Sequence, residues 1–131
     1  MNSVDSKSIR AGEFAQTVRV RSHEITADEG PANGGQDAGP GPHDLFDAAL
    51  TTCKAMTAMW YARRRGYPLE RVETHVESDD SDERKGVYRL RVHVELFGPL
   101  SDDQRADIHR AIKSCPIHKL MTTSDVQIET V

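Results

Sequence analysis

The stretch HDLFDAALTTCKAMTAMWYARRR, residues 43–65, decides the fold of this chain. Pro42 before it suits the first turn of a helix, and Gly66 with Pro68 after it suits a helix end. These signals predict one helix of about 24 residues, ~36 Å long at 1.5 Å per residue. Residues 45–59 are almost wholly apolar or small, which is typical of a helix that is buried on most sides.

Alternating apolar and polar residues predict β-strands on both sides of this helix. Residues 14–20 alternate in this way, and a short strand at about residues 23–27 can return from them. After the helix, apolar and polar residues alternate in residues 72–77 and again in residues 88–96, which predicts one buried and one solvent-exposed face for each strand. We expect these two strands to pair in an antiparallel sheet that is packed on one side.

The C-terminal part of the chain predicts a second helix and a last strand. Ser101 and Gln104 form a capping box at the start of the helix. Cys115 falls on the apolar stripe of this helix, and Pro116 marks a break before another helical turn. Residues 126–130 alternate again and predict the final strand. The order β-β-α-β-β-α-β indicates an α+β fold, in which an antiparallel sheet wraps around the long buried helix.

Two segments lack the signals of a regular element. Residues 1–12 are expected to form a flexible N-terminus, and residues 29–42 (EGPANGGQDAGPGP) a Gly/Pro-rich loop. A chain of 131 residues has the length of one domain, so we predict a single domain over residues 1–131. A chain this short gains by burying a long apolar helix against a second copy, which predicts an oligomer.

Charge and hydropathy exclude several classes of function. The formal net charge is −4 and the basic residues are scattered, so nucleic acid is not an expected partner. No run approaches the ~18 apolar residues of a membrane span, so we expect no membrane partner either. The first residues lack the apolar core of a signal peptide. We therefore expect a cytoplasmic protein, in a compartment where structural disulfides are rare.

The two cysteines, Cys53 and Cys115, leave more than one interpretation open. Each could be a small buried hydrophobe, which is common for free cysteine. A redox role requires one thiol to ionise and the other to come within disulfide reach. Cys53 lies in mid-helix, so its thiolate would need a cation or a donor from elsewhere. Arg21 and His23, just after the first strand, are candidates for that role.

A metal site is the third interpretation. Cys115 and His118 form a C-x-x-H pair, which Cys53 and His43 would have to complete. Structural zinc sites normally contain two close ligand pairs. His43 and Cys53 are ten positions apart on one helix, ~15 Å along its axis, so they cannot share a metal within one chain. We expect no metal.

Two motifs resemble signatures of the osmotically inducible protein C / organic hydroperoxide resistance (OsmC/Ohr) family. The first is GPGPHDLFDAALTTCKAMTAMWYARRRGYPLERVETHVE, residues 39–77, and the second is CPIHKLMTTSDVQIET, residues 115–130. The resemblance covers roughly residues 14–130. It implies an intertwined homodimer with two active sites at the subunit interface and no metal, haem or flavin cofactor.

The same resemblance implies a reaction. Cys53 is the peroxidatic thiol, whose thiolate attacks the peroxide and becomes a sulfenic acid. Cys115 resolves this acid as an intramolecular disulfide, which a dithiol reductant reopens. The implied function is a thiol-dependent peroxidase for organic hydroperoxides or hydrogen peroxide.

His43 marks a departure from the hydroperoxide-resistance members. These carry a glutamate at this position, paired with an arginine that corresponds to Arg21. The chain therefore resembles the broader OsmC-like branch. If His43 has a catalytic role, it must act on the cysteine of the other subunit, where it could orient a peroxide or accept a proton. Otherwise it is a helix-start residue that packs or meets water.

A non-catalytic function stays open beside the peroxidase. The same fold could bind a small molecule in a pocket at the dimer interface. The missing glutamate favours this alternative, together with three methionines: Met56, Met59 and Met121.

Overall fold

The chain divides into two compact units, one ending at Phe46 and the other running from Asp47 to Val131. The computed structural model describes residues 2–131. Mixed helices and antiparallel strands confirm the α+β class. The single domain over residues 1–131 stays a prediction.

The N-terminal unit is built on a three-stranded antiparallel sheet in the order β1-β2-β3. Its strands are β1 (Val4–Ser8), β2 (Gln16–Val20) and β3 (His23–Ala27). Val20 pairs with His23, so β2 and β3 form a hairpin with a two-residue turn. The returning strand is confirmed with the bounds expected from the sequence.

Strand β1 corrects the expectation of a flexible N-terminus (residues 1–12) for Val4–Ser8, and Met1 lies outside the described residues. Its five side chains are all exposed, so no apolar alternation reveals it in the sequence. It forms because the edge of β2 offers unpaired backbone groups, which β1 satisfies in register from Val4↔Val20 to Ser8↔Gln16. The Ser6 hydroxyl also donates a hydrogen bond to Gln16 Oε1 at 3.1 Å.

A buried carboxylate orders the Gly/Pro-rich loop. Asp28 is 4% exposed and accepts backbone N–H bonds from Glu29, Gln36 and Ala38 at 2.8, 3.2 and 3.1 Å. These bonds, that from Ala38 above all, hold the pKa of Asp28 below its usual value. The loop contains one short 3₁₀ helix, Pro31–Asn33, a regular element that the sequence did not indicate.

Helix α1 spans Pro42–Arg65, as the sequence predicts. Its buried residues form a single stripe that repeats every four positions, namely Leu50, Lys54, Ala58 and Ala62. Met56 and Trp60 on another face are 71% and 58% exposed. The expectation of a helix buried on most sides is therefore wrong for the single chain, because one hairpin and one helix cover only one stripe.

The C-terminal unit adds a hairpin of β4 (Arg71–Asp79) and β5 (Arg89–Phe97). Exposed residues alternate with more buried ones along most of both strands, which confirms the predicted solvent-exposed and buried faces. Helix α2 (Asp102–Ile112) begins at the predicted capping box, and α3 (Pro116–Thr122) follows it. The core of this unit consists of six buried residues: Ala58, Ala62, Leu69, Leu96, Ile108 and Ile112.

The predicted final strand is absent, and residues 124–131 form no helix or strand. Val126 and Ile128 are 56% and 85% exposed. An alternating pattern gives a stable strand only where a neighbouring strand accepts its backbone hydrogen bonds, and none of the described strands pairs with this segment. The observed order is β-β-β-α-β-β-α-α rather than β-β-α-β-β-α-β.

Replacing Ile108 tests this core. Ile108 is fully buried and belongs to this core cluster. We expect Ile108→Ala to lower the free energy of unfolding by about 2–5 kcal/mol and the matched variant Ile108→Val by only about 0.5–1.5 kcal/mol. Urea denaturation followed by circular dichroism measures both. Equal small losses in the two variants would contradict the packing described here.

Candidate thiol site

Cys53 lies in the middle of α1, beside the buried stripe. It is half-buried, and its Sγ is 3.9 Å from Thr57 Oγ1, one helical turn away on the same face. Because α1 begins eleven residues before Cys53, the thiol gains nothing from the helix N-terminus. Its surroundings in the fold must therefore supply any activation.

Cys115 is the N-cap residue of α3 and not a member of the α2 stripe, which corrects the sequence expectation. Helix α2 ends at Ile112, and Cys115 has extended backbone angles, φ −62° and ψ 161°. The cause is Pro116, whose ring disfavours helical angles in the residue before it. The restart of a helical turn after the break is confirmed.

The fold brings the two thiols together within the C-terminal unit. Both cysteines are free, and Cys115 is 1% exposed. Burial raises the pKa of the Cys115 thiol, and the neighbouring Cys53 thiol raises it further through a hydrogen bond. The backbone amide of His118 and the charge of Lys54 act in the opposite direction. A half-buried thiol thus lies near a buried thiol whose pKa is raised.

Lys54 is a functional candidate that the sequence analysis missed. Its side chain is buried at 8% exposure, and its ammonium donates to the carbonyl oxygens of Ile112 and Lys113 at 2.8 and 3.5 Å. It also lies 3.2 Å from His118 Nδ1. We call these four groups the Lys54 network. Its position four residues after Leu50 and four before Ala58, on the buried stripe, was the available signal.

His118 completes the surroundings of Cys115. Burial, and the neighbouring charge of Lys54, lower its pKa below the usual value. The ring is therefore neutral near pH 7, and an Nδ1 that accepts from Lys54 leaves the proton on Nε2. Among residues 2–131, no three histidine, cysteine or acidic side chains are grouped so that they could hold a metal ion.

The other three candidates lie in the N-terminal unit. Arg21 is in the β2–β3 turn, exposed, with a φ of +53°. His23 is the first residue of β3, and His43 is in the first turn of α1; both are exposed. Their roles in activating or orienting stay predictions.

The titration of His118 gives a pH test. Because its pKa is lower in the fold than in the unfolded chain, the unfolded state takes up the proton first as the pH falls. We expect stability to be constant above about pH 6.5 and to fall below it. His118→Asn keeps an acceptor near the Nδ1 position but does not titrate. Denaturant midpoints between about pH 7.5 and 5 should fall less in this variant. Parallel curves for the two proteins would contradict the buried, neutral imidazole.

Similar solved structures share this fold. An OsmC-like protein from Mycoplasma pneumoniae matches with a TM-score of 0.74 at 19% identity, over 94% of this chain and 88% of its own. An OsmC-like protein of unknown function from Vibrio cholerae matches with a TM-score of 0.73 at 20% identity, over 94% of both chains. An organic hydroperoxide resistance protein from Bacillus subtilis matches with a TM-score of 0.62 at 19% identity, over 94% of this chain and 91% of its own.

Sequence comparison adds the family. A search of curated proteins finds no match. Within residues 2–131, no helix is both long and apolar enough to cross a membrane. Residues 34–131, which include both cysteines and the helices α1, α2 and α3, match the family described as OsmC-like protein. The chain therefore belongs to the OsmC-like protein family.

Proposed function

We propose that this protein is a thiol-dependent peroxidase that reduces organic hydroperoxides or hydrogen peroxide, with Cys53 as the peroxidatic and Cys115 as the resolving cysteine. The observation that carries the proposal is a pair of free thiols, one half-buried and one buried, near enough that Cys53 raises the pKa of Cys115. Membership of a family with solved members named for organic hydroperoxide resistance supports the same chemistry.

The proposed reaction has two steps on the protein. The Cys53 thiolate attacks one peroxide oxygen, the O–O bond breaks, and the alkoxide or hydroxide leaves and takes up a proton. Cys53 becomes a sulfenic acid, oxidised by two electrons. The Cys115 sulfur then attacks the Cys53 sulfur, the S–O bond breaks, and hydroxide leaves with the Cys115 proton as water. An external dithiol reduces the disulfide by exchange.

The surroundings of the two thiols support this division of roles. Cys53 is the more exposed and can meet a substrate. Cys115 is buried with a raised pKa, so it stays a thiol until a sulfenic acid forms beside it. We propose that the cycle runs in the cytoplasm, where dithiol reductants keep free cysteines reduced.

We further propose that the enzyme is a homodimer. Ala49, Cys53, Met56 and Trp60 follow one another at spacings of four, three and four residues, which is the pattern of a helix-pairing seam. The large exposed fractions of Met56 and Trp60 support a second chain as their cover. Cys53 would then lie at the interface. Arg21, His23 and His43 are candidates to activate Cys53 or to orient the peroxide there.

A small-molecule-binding protein is the second candidate. The exposure of Met56 favours it, since methionine adapts to varied apolar ligands. A groove on the N-terminal sheet is a weaker candidate for the binding site of an apolar ligand, because polar side chains line it and neither cysteine is among them. The lining residues are Asp5, Lys7, Thr17, Arg19 and Glu24. An unreactive Cys53 towards both peroxide and alkylating reagents would favour this candidate.

Cysteine variants test the peroxidase. With tert-butyl hydroperoxide and dithiothreitol, we expect turnover in the wild type and a loss of at least about 100-fold in Cys53→Ser, because the attacking thiolate is gone. In Cys115→Ser, Cys53 should stall as a sulfenic acid and over-oxidise. Mass spectrometry identifies both products. Negligible turnover in both wild type and Cys53→Ser would refute the function, and over-oxidation of Cys115 alone would reverse the roles.

Sedimentation tests the dimer. We expect a dimer at micromolar concentration that buries more than about 2,000 Å² in total, as obligate dimers do. The double variant Met56→Glu/Trp60→Glu should shift it towards the monomer, because it places four charges in one seam. Ala48→Glu, an exposed position on another face of α1, is the matched control and should remain dimeric. A folded wild-type monomer at that concentration would contradict the proposal.

A further inference from the structure

Lys54 is a buried lysine with an acceptor for each of its donors. An ammonium group has three N–H bonds, and the carbonyls of Ile112 and Lys113 and the His118 ring nitrogen provide three acceptors. Removing a lysine charge from water is costly unless the group is paired or fully hydrogen-bonded. A lysine at 8% exposure is therefore held in one place by these partners.

Two of the partners lie at the C-terminal end of α2. The last carbonyls of a helix have no partner within the helix and carry the negative end of its dipole. Ile112 is the last residue of α2 and Lys113 is its C-cap. A cation bonded to both oxygens satisfies them and stabilises the end of the helix at this point.

The partners of Lys54 lie on both sides of Cys115 in the sequence. Ile112 and Lys113 precede it by three and two residues, and His118 follows it by three. Lys54 itself is the residue after Cys53 on α1. We propose that Lys54 is a positioning residue, which fixes the α2–α3 junction against α1 so that the Cys115 sulfur is held beside the Cys53 sulfur.

This inference rests on the proposed function and concerns its second step. Forming the disulfide requires the sulfur of Cys115 to approach the Cys53 sulfenic acid from a defined direction. Lys54, on α1, bonds to Ile112 before Cys115 and to His118 after it, and so ties the junction to α1 on both sides of Cys115. The Lys54 charge also lowers the pKa of Cys115 against the effect of burial, which favours the thiolate as it attacks.

The decisive variant is Lys54→Met, which keeps the length of the side chain and removes its donors. After one equivalent of tert-butyl hydroperoxide, dimedone trapping measures sulfenic acid on Cys53, and non-reducing mass spectrometry measures the disulfide. We expect sulfenic acid formation within about twofold of the wild type and disulfide formation slower by about 10- to 100-fold. Lys54→Arg, which keeps a cation with several donors, should restore part of the rate.

Lys119→Met is the matched control, because Lys119 is an exposed lysine on α3. It should leave both rates unchanged. Equal disulfide rates in Lys54→Met and Lys119→Met would overturn the proposal, and so would a parallel fall of both steps in Lys54→Met. If Lys54→Met does not fold, His118→Ala removes one acceptor, and a slowed disulfide step with unchanged sulfenic acid formation is the expected result. An unchanged disulfide step in this variant would overturn the proposal.

Oxidation by diamide separates this inference from the peroxidase. Diamide joins the two thiols without any peroxide, and is itself reduced to the hydrazine. A wild type inert to hydroperoxide but crosslinked faster by diamide than Lys54→Met would refute the peroxidase and support the positioning role. A Lys54→Met protein that diamide crosslinks as fast as the wild type would refute the positioning role, whatever the peroxide result.

Discussion

The buried stripe of α1 is the constraint on which the C-terminal unit depends. Ala58 and Ala62 are almost fully buried and belong to the same core cluster as Ile108 and Ile112 of α2. Small side chains there leave room for the larger residues of the neighbouring elements. Lys54 continues the stripe by one turn, but it meets the end of α2, where the free carbonyls need donors rather than methyl groups.

Hydrogen bonds of polar side chains hold α2 at both ends of its contact with α1. Towards the end of α1, Asp107 accepts hydrogen bonds from the hydroxyls of Tyr61 and Tyr67 at 3.0 and 2.6 Å. The bond from Tyr67 in particular lowers the pKa of Asp107. At the other end, Lys54 bonds the last carbonyls of the helix. Because hydrogen bonds are directional, these contacts define the orientation of α2 more closely than the apolar core could.

The chemistry proposed for the two cysteines follows from how differently the chain holds them. Cys53 lies in mid-helix, so the helix dictates the direction of its side chain. Cys115 stands at a junction between two helices, where the extended angles required by Pro116 interrupt the helical bonds. A sulfur at such a junction depends on its neighbours for its position, and the Lys54 network is the contact that the structure offers for this purpose.

The sequence by itself determined the elements whose signals are local. The α1 bounds follow from Pro42 and Gly66, the start of α2 follows from Ser101 and Gln104, and the two alternating segments form the β4–β5 hairpin. It also singled out both cysteines as the candidate site. Each of these signals depends on residues within a few positions of one another.

Only the tertiary structure decided the features that depend on distant partners. The five exposed residues of β1 form a strand because β2 is there to pair with them, whereas the alternating residues 126–130 form none because no described strand lies beside them. Cys115 was assigned to α2 from its spacing, but Pro116 restricts its backbone and places it at the start of α3. The sequence placed Lys54 on the buried stripe but could not show its role, because its acceptors lie 58 to 64 residues away in the sequence. A buried lysine is stable only with partners, and the folded chain alone brings those partners within reach.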